Sequence, residues 1–330
     1  MSIAVLPWQE PLRERMRRTV AQQRMPHGVL LEGPQGLGKR YFADWLTALV
    51  LCDATSSKAK PCGECRACRW LVAGTHPDFH EVQPEEDKKW ISVEQVRELV
   101  DKLMLKSFSR AGRVALITPA SNLTESAANS LLKTLEEPGA GSVLILITSR
   151  AARLPATVRS RCQRLRFPIP AFEQAQAWLA GQDANTDWTR LLELAGGAPL
   201  AALARHEAGF AALDRSFRED LEALILRRRD PFDVAGRWSR CAPDACLDWL
   251  YDCTRRLIVS RFAGDERRAD AGLQKAAKHL KLERLFHYLD RVHAARAAID
   301  SALSWPLQVE SLLIPWSDEL RSPEEDPIIG

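Results

Sequence analysis

The sequence predicts an α/β fold for residues 1–168, a parallel sheet with helices on both faces, followed by all-helical domains. Three observations carry this. Val114–Thr118 and Ser142–Thr148 are short, β-branched and nearly all apolar, as strands buried on both faces of a parallel sheet are. Between them Leu123, Ala127, Ala128, Leu131, Leu132 and Leu135 recur at helical spacing, and Pro138-Gly139 stops the run, which makes a βαβ unit. Past Pro168-Ile-Pro170 the composition shifts to helices rich in Ala, Leu and Arg, marking a domain boundary.

In chain order, Pro11–Arg24 has the spacing of an amphipathic helix, with Leu12, Met16 and Val20 on one side and arginines on the other. Val29–Glu32 is a buried strand entering Gly33-Pro-Gln-Gly-Leu-Gly-Lys39, and a helix follows with Phe42, Trp45, Leu46, Leu49 and Val50 on one face. Strand, glycine-rich loop, then helix is the context of a phosphate-binding loop. Gly33, Gly36 and Gly38 allow backbone N–H groups to turn toward phosphate oxygens, and Lys39 adds a positive charge. The next position wants Ser or Thr to hold Mg²⁺ and carries Arg40, a guanidinium that cannot coordinate a cation. Two readings stay open: a loop that holds ATP or ADP without turnover, and a loop kept only for folding.

Cys52, Cys62, Cys65 and Cys68 place four of the eight cysteines within 17 residues. Thiolates at this spacing close a tetrahedron around a structural Zn²⁺, with no open position for catalysis. His76 is expected to turn the chain into the strand Phe79–Val82, outside the metal site. Val93, Val96, Leu99, Val100 and Leu103 mark a further helix capped by Ser92, with Arg97, Lys102 and Lys106 exposed. Helices Phe172–Ala180, Trp188–Ala195 and Pro199–His206 suit a small lid at 169–207. Long helices Phe210–Arg227, Pro231–Arg240, Asp244–Phe262, Ala269–His279 and Lys281–Ile299 then fill 208–316, with Cys241, Cys246 and Cys253 as buried small residues. Residues 317–330 are expected to be a disordered tail.

Net charge is +3, from 46 basic and 43 acidic side chains, too balanced for affinity resting on phosphate neutralisation alone. No apolar run reaches the roughly 18 residues of a membrane span. Arg13, Arg15, Arg17 and Arg18 interrupt any leader-like apolar stretch, so a cytoplasmic location is expected.

Ser126–Pro138, followed by Leu154-Pro155 and Ser160-Arg161-Cys162, resembles the AAA+ module of clamp-loader subunits, most closely the delta-prime family of bacterial DNA polymerase III. The resemblance is specific from Trp8 to Phe167 and looser to Trp316. It implies an AAA+ P-loop module with an inserted zinc module, an all-α lid and an all-α collar that oligomerises with sibling subunits. It implies gamma/tau and delta as partners, with the sliding clamp (beta) and primed DNA reached through the complex. Hydrolysing members carry Asp-Glu at a strand end where this chain has Thr118-Pro119, and a sensing arginine where it has Pro199. The chain alone is therefore expected not to hydrolyse ATP. By the same resemblance Arg161 is an arginine finger offered in trans to a neighbour's ATP, where a guanidinium stabilises the charge that develops on the γ-phosphate. The plain alternative is a surface arginine paired with a carboxylate. Two other functional classes are carried: an active gamma/tau-type ATPase, supported by Gly33–Lys39, and a zinc-ribbon DNA-binding protein, supported by the cysteines.

Overall fold

The computed structural model describes residues 6–54, 60–108, 112–263, 280–299, 304–318 and 320. Contacts divide the chain into two units, Met1–Ala204 and Arg205–Gly330. In the first, five parallel strands β1 (Gly28–Glu32), β2 (Phe79–Val82), β3 (Arg113–Ile117), β4 (Ser142–Thr148) and β5 (Gln163–Arg166) lie in the order β2-β3-β4-β1-β5. Strands β1, β3 and β4 are buried at every position, as their unbroken apolar runs require. Gln163–Arg166 is not among the strands expected from sequence. Only Leu165 of β5 is fully buried, because the strand lies on the sheet's edge and leaves its polar side chains in water.

Successive strand residues face opposite layers. Val29 and Leu31 join Met16 of α1 (Glu10–Ala21) and Phe42, Trp45, Leu46 and Leu49 of α2 (Lys39–Leu51) in one core. Leu30 turns the other way, against Val96 and Leu99 of α4 (Val93–Met104), Leu131 and Leu135 of α5 (Glu125–Glu136) and Val158 of α6 (Ala156–Ser160). Helix α3 (Arg66–Ala73) packs on α2. Ser92 caps α4 as expected, and Gln95 returns the bond to complete a capping box.

Two expectations are corrected here. Helix α2 buries 11 of its 13 residues instead of one face, because it is covered by the sheet, α1 and α3 at once. Arg13, placed by periodicity on the wet side of α1, is 1% exposed; its guanidinium lies 5.1 Å from the Trp45 ring, a cation–π contact that keeps the charge in an apolar layer.

Helices α7 (Phe172–Ala180), α8 (Trp188–Leu194) and α9 (Pro199–Glu207) form where expected, with α9 crossing the division between units. The second unit holds α10 (Phe210–Ile225), α11 (Pro231–Trp238), α12 (Pro243–Ala263), α13 (Leu282–Ala297) and α14 (Trp305–Ser317). Its core centres on Phe217, Trp238 and Trp249. Buried Asp214 and Asp220 accept hydrogen bonds from the Trp249 and Trp238 indoles at 2.6 and 2.9 Å. Pro306 and Pro315 hide α14 from a periodicity search. Pro315 has no N–H for the Ser311 carbonyl, and Arg291 donates to that carbonyl instead, at 2.6 Å. The expected helix Ala269–His279 and all of the expected tail except residues 317, 318 and 320 lie outside the described residues. Among the described residues, no helix is long and apolar enough to cross a membrane.

Candidate functional site

Strand β1 delivers the chain to the glycine loop with Glu32, which is 6% exposed and accepts from Arg164 and Arg166 of β5 at 2.9 to 3.1 Å. Gly36 and Gly38 have φ of +80° and +79°, and each lies where a side chain has no room. A Cβ on Gly36 would fall 2.5 Å from Cβ of Ala201, and one on Gly38 would fall 2.2 Å from Leu6.

Three of the loop's carbonyls and its lysine are taken within the chain. Trp8 and Gln9 donate to the Leu37 carbonyl at 3.0 Å each, Gln9 also to Gly38 at 2.8 Å, and the Leu200 amide of α9 to Gly36 at 3.0 Å. Lys39 Nζ curls back to the carbonyls of Gly33 and Pro34, at 2.7 and 2.6 Å, and burial pushes its pKa down to about 8. Arg40 is held by Asp44 (2.9 Å) and by both carboxylate oxygens of Glu81, one of them at 2.8 Å. A phosphate in this loop would have to win Lys39 from two carbonyls. β3 runs into Thr118-Pro119, which offers a hydroxyl and no carboxylate, and Pro199 opens α9 where the resemblance calls for an arginine.

The four clustered thiols do come together. Cys52 ends α2, Cys65 caps α3, and Cys68 lies inside α3. Their Sγ atoms all fall within 4.8 Å of one another, with pairs at 3.6, 3.9 and 4.0 Å. A tetrahedron of thiolates about 2.3 Å from a central ion has edges of about 3.8 Å, so the cluster could hold a metal ion. The amides of Cys62, Cys65 and Cys68 each point at a sulfur of the cluster, at 3.3 to 3.5 Å. The amides of Cys65 and Glu64 lower Cys62 to about 6, which favours the ligating thiolate, whereas burial raises Cys52 and Cys68. A cation among them would reverse the latter two. His76 spends Nδ1 on the Asp78 amide at 3.1 Å and turns the chain into β2, as expected.

Arg161 follows the last residue of α6, with its side chain about one-third exposed. Nε donates to Glu136 at 2.7 Å, a terminal nitrogen also meets Glu136, and another donates to the Thr157 carbonyl at 3.0 Å. Cys162 is buried behind it, and Ser160 donates to Thr157. Glu136 lies within Ser126–Pro138 but is not among the site residues expected from sequence. A carboxylate at the end of one helix gives no sign in sequence of which later arginine it will meet.

A five-stranded parallel sheet with a glycine loop on an interior strand, followed by short helices that return an amide to that loop, defines a P-loop α/β module. A family model described as DNA polymerase III, delta subunit, matches residues 8–171. DNA polymerase III subunit delta' of Pseudomonas aeruginosa is 34% identical over 265 residues, covering 79% of this chain and 80% of that one. The Haemophilus influenzae protein of the same name is 32% identical over 261 residues, covering 77% and 79%. Among solved structures, a DNA polymerase III gamma subunit-related protein of Thermotoga maritima aligns over 92% of this chain and 98% of its own at 16% identity, with a TM-score of 0.48. The chain belongs to the delta-prime subunit family of DNA polymerase III clamp loaders.

Proposed function

We propose that this chain serves a clamp loader as a subunit that does not turn over ATP itself and lends Arg161 to the ATP held by a neighbouring gamma/tau subunit. The observation that carries the reading is a contrast. Lys39 is buried against its own loop's carbonyls, whereas Arg161, though it meets Glu136 and Thr157, stands at the end of α6 with about one-third of its side chain exposed and N–H donors to spare. Phosphoryl transfer spreads negative charge over the γ-phosphate oxygens, and a guanidinium delivered from outside stabilises it without the donor having a working site.

In this reading residues 1–168 are the AAA+ part, 169–207 the lid and 208–316 the collar that meets sibling subunits. Gamma/tau and delta are the direct partners, the sliding clamp and primed DNA are met through the complex, and the work is done in the cytoplasm. The ion held by Cys52, Cys62, Cys65 and Cys68 is zinc. Four thiolates fill its coordination and leave no position for a substrate, so its contribution is to fold the segment between α2 and α3.

The test is reconstitution with gamma/tau, delta, sliding clamp and primed DNA. The full chain should co-elute with gamma/tau and delta, and Arg161→Ala should keep that assembly while cutting ATP turnover at the site it serves by about 10³- to 10⁵-fold. Clamp loading that survives Arg161→Ala, or phosphate release by the isolated chain above that of Lys39→Ala, defeats the reading.

A further inference from the structure

The contacts of Arg161 assign a role to a second residue. A guanidinium has five N–H donors. Glu136 takes Nε and one N–H of a terminal nitrogen, and the Thr157 carbonyl takes one N–H of the other. Two N–H donors, one on each terminal nitrogen, remain for a ligand. The carboxylate belongs to the last residue of α5, and the carbonyl to α6 one turn before Arg161. Both supports are thus fixed by helices that pack on the same side of the sheet.

We propose that Glu136 is the positioning residue of Arg161: it holds the guanidinium side-on before a neighbour arrives, with two donors left for the triphosphate. This rests on the finger role of Arg161 and deepens it. A long arginine side chain free in water must be ordered when it meets its target, and a side chain ordered beforehand loses less on engagement. The gain appears where the finger acts, in the transition state, and so in kcat instead of KM. Glu136 does not touch ATP. Its cost is a partial neutralisation of the guanidinium, which is small in a pair this exposed because water screens both charges.

The experiment uses the reconstituted complex with the full chain carrying Glu136→Ala, Glu136→Asp or Arg161→Ala, and measures kcat and KM for ATP together with the thermal midpoint of each variant. Glu136→Ala should lower kcat by about twofold to thirtyfold, the range set by ordering one long side chain, with KM and the thermal midpoint unchanged. Glu136→Asp should recover part of the loss. If Arg161→Ala disables the complex while Glu136→Ala equals or exceeds the unaltered chain, Glu136 is only a surface partner and the inference fails with the finger intact. If Arg161→Ala is itself without effect, the finger reading fails, and that result is distinct from the first.

Discussion

Lys39 gives the sharpest handle on whether the glycine loop is closed. Its side chain is buried, its ammonium meets two carbonyls, and its pKa stands at about 8 against an ordinary 10.5. Below pH 8 the group is charged in the folded and unfolded chain alike, and the fold carries the whole cost of burying it. Between pH 8 and 10.5 the folded chain has shed the proton while the unfolded chain still binds it, so stability rises with pH. Above 10.5 both are neutral and the rise ends. A difference of about 2.5 units corresponds to about 3 kcal/mol, which in a unit of this size moves the melting midpoint by about 6 to 12 °C. Lys39→Met lacks this dependence. Calorimetry of both proteins from pH 7.5 to 10.5 isolates it, because every other titrating group cancels in the comparison. The unaltered chain should gain on Lys39→Met across this window. A nucleotide in the loop would set phosphate charge beside the ammonium and hold its pKa up, so the closed loop also predicts the same slope with and without ATP. A flat difference would show that burial does not govern Lys39, and a slope abolished by ATP would show that the loop takes nucleotide; either result refutes the argument.

Two further predictions concern the metal cluster and the second unit. Cys68→Ser should remove bound zinc as measured by metal analysis of the purified chain and speed proteolysis between α2 and α3, whereas Cys241→Ser should do neither; equal zinc in both variants would remove the cluster from the metal. Asp220→Ala strips the Trp238 indole of its acceptor and leaves Arg229 and Arg237 without their shared carboxylate, and should cost the second unit about 2 to 4 kcal/mol in denaturant unfolding. A loss under about 0.5 kcal/mol would mean that water replaces the carboxylate freely.

Much of this protein was written in local chemistry. The unbroken apolar runs of β1, β3 and β4 announced a sheet buried on both faces, the spacing of Cys52, Cys62, Cys65 and Cys68 announced a thiol cluster that could hold a metal ion, and Ser92 marked the start of α4, because each signal lies within one element or one short stretch. The sequence also announced a loop with the wrong residue at Arg40. What it did not hold was pairing at a distance. That Lys39 turns back on its own carbonyls, that Arg40 is claimed by a carboxylate 41 positions on, that Arg13 lies under Trp45 and that Arg161 leans on Glu136 all depend on which helices meet. A charge in sequence has no address. Only packing, by deciding how much water reaches it and which opposite charge stands within about 3 Å, determines whether it is spent inside the fold or left to act outside it.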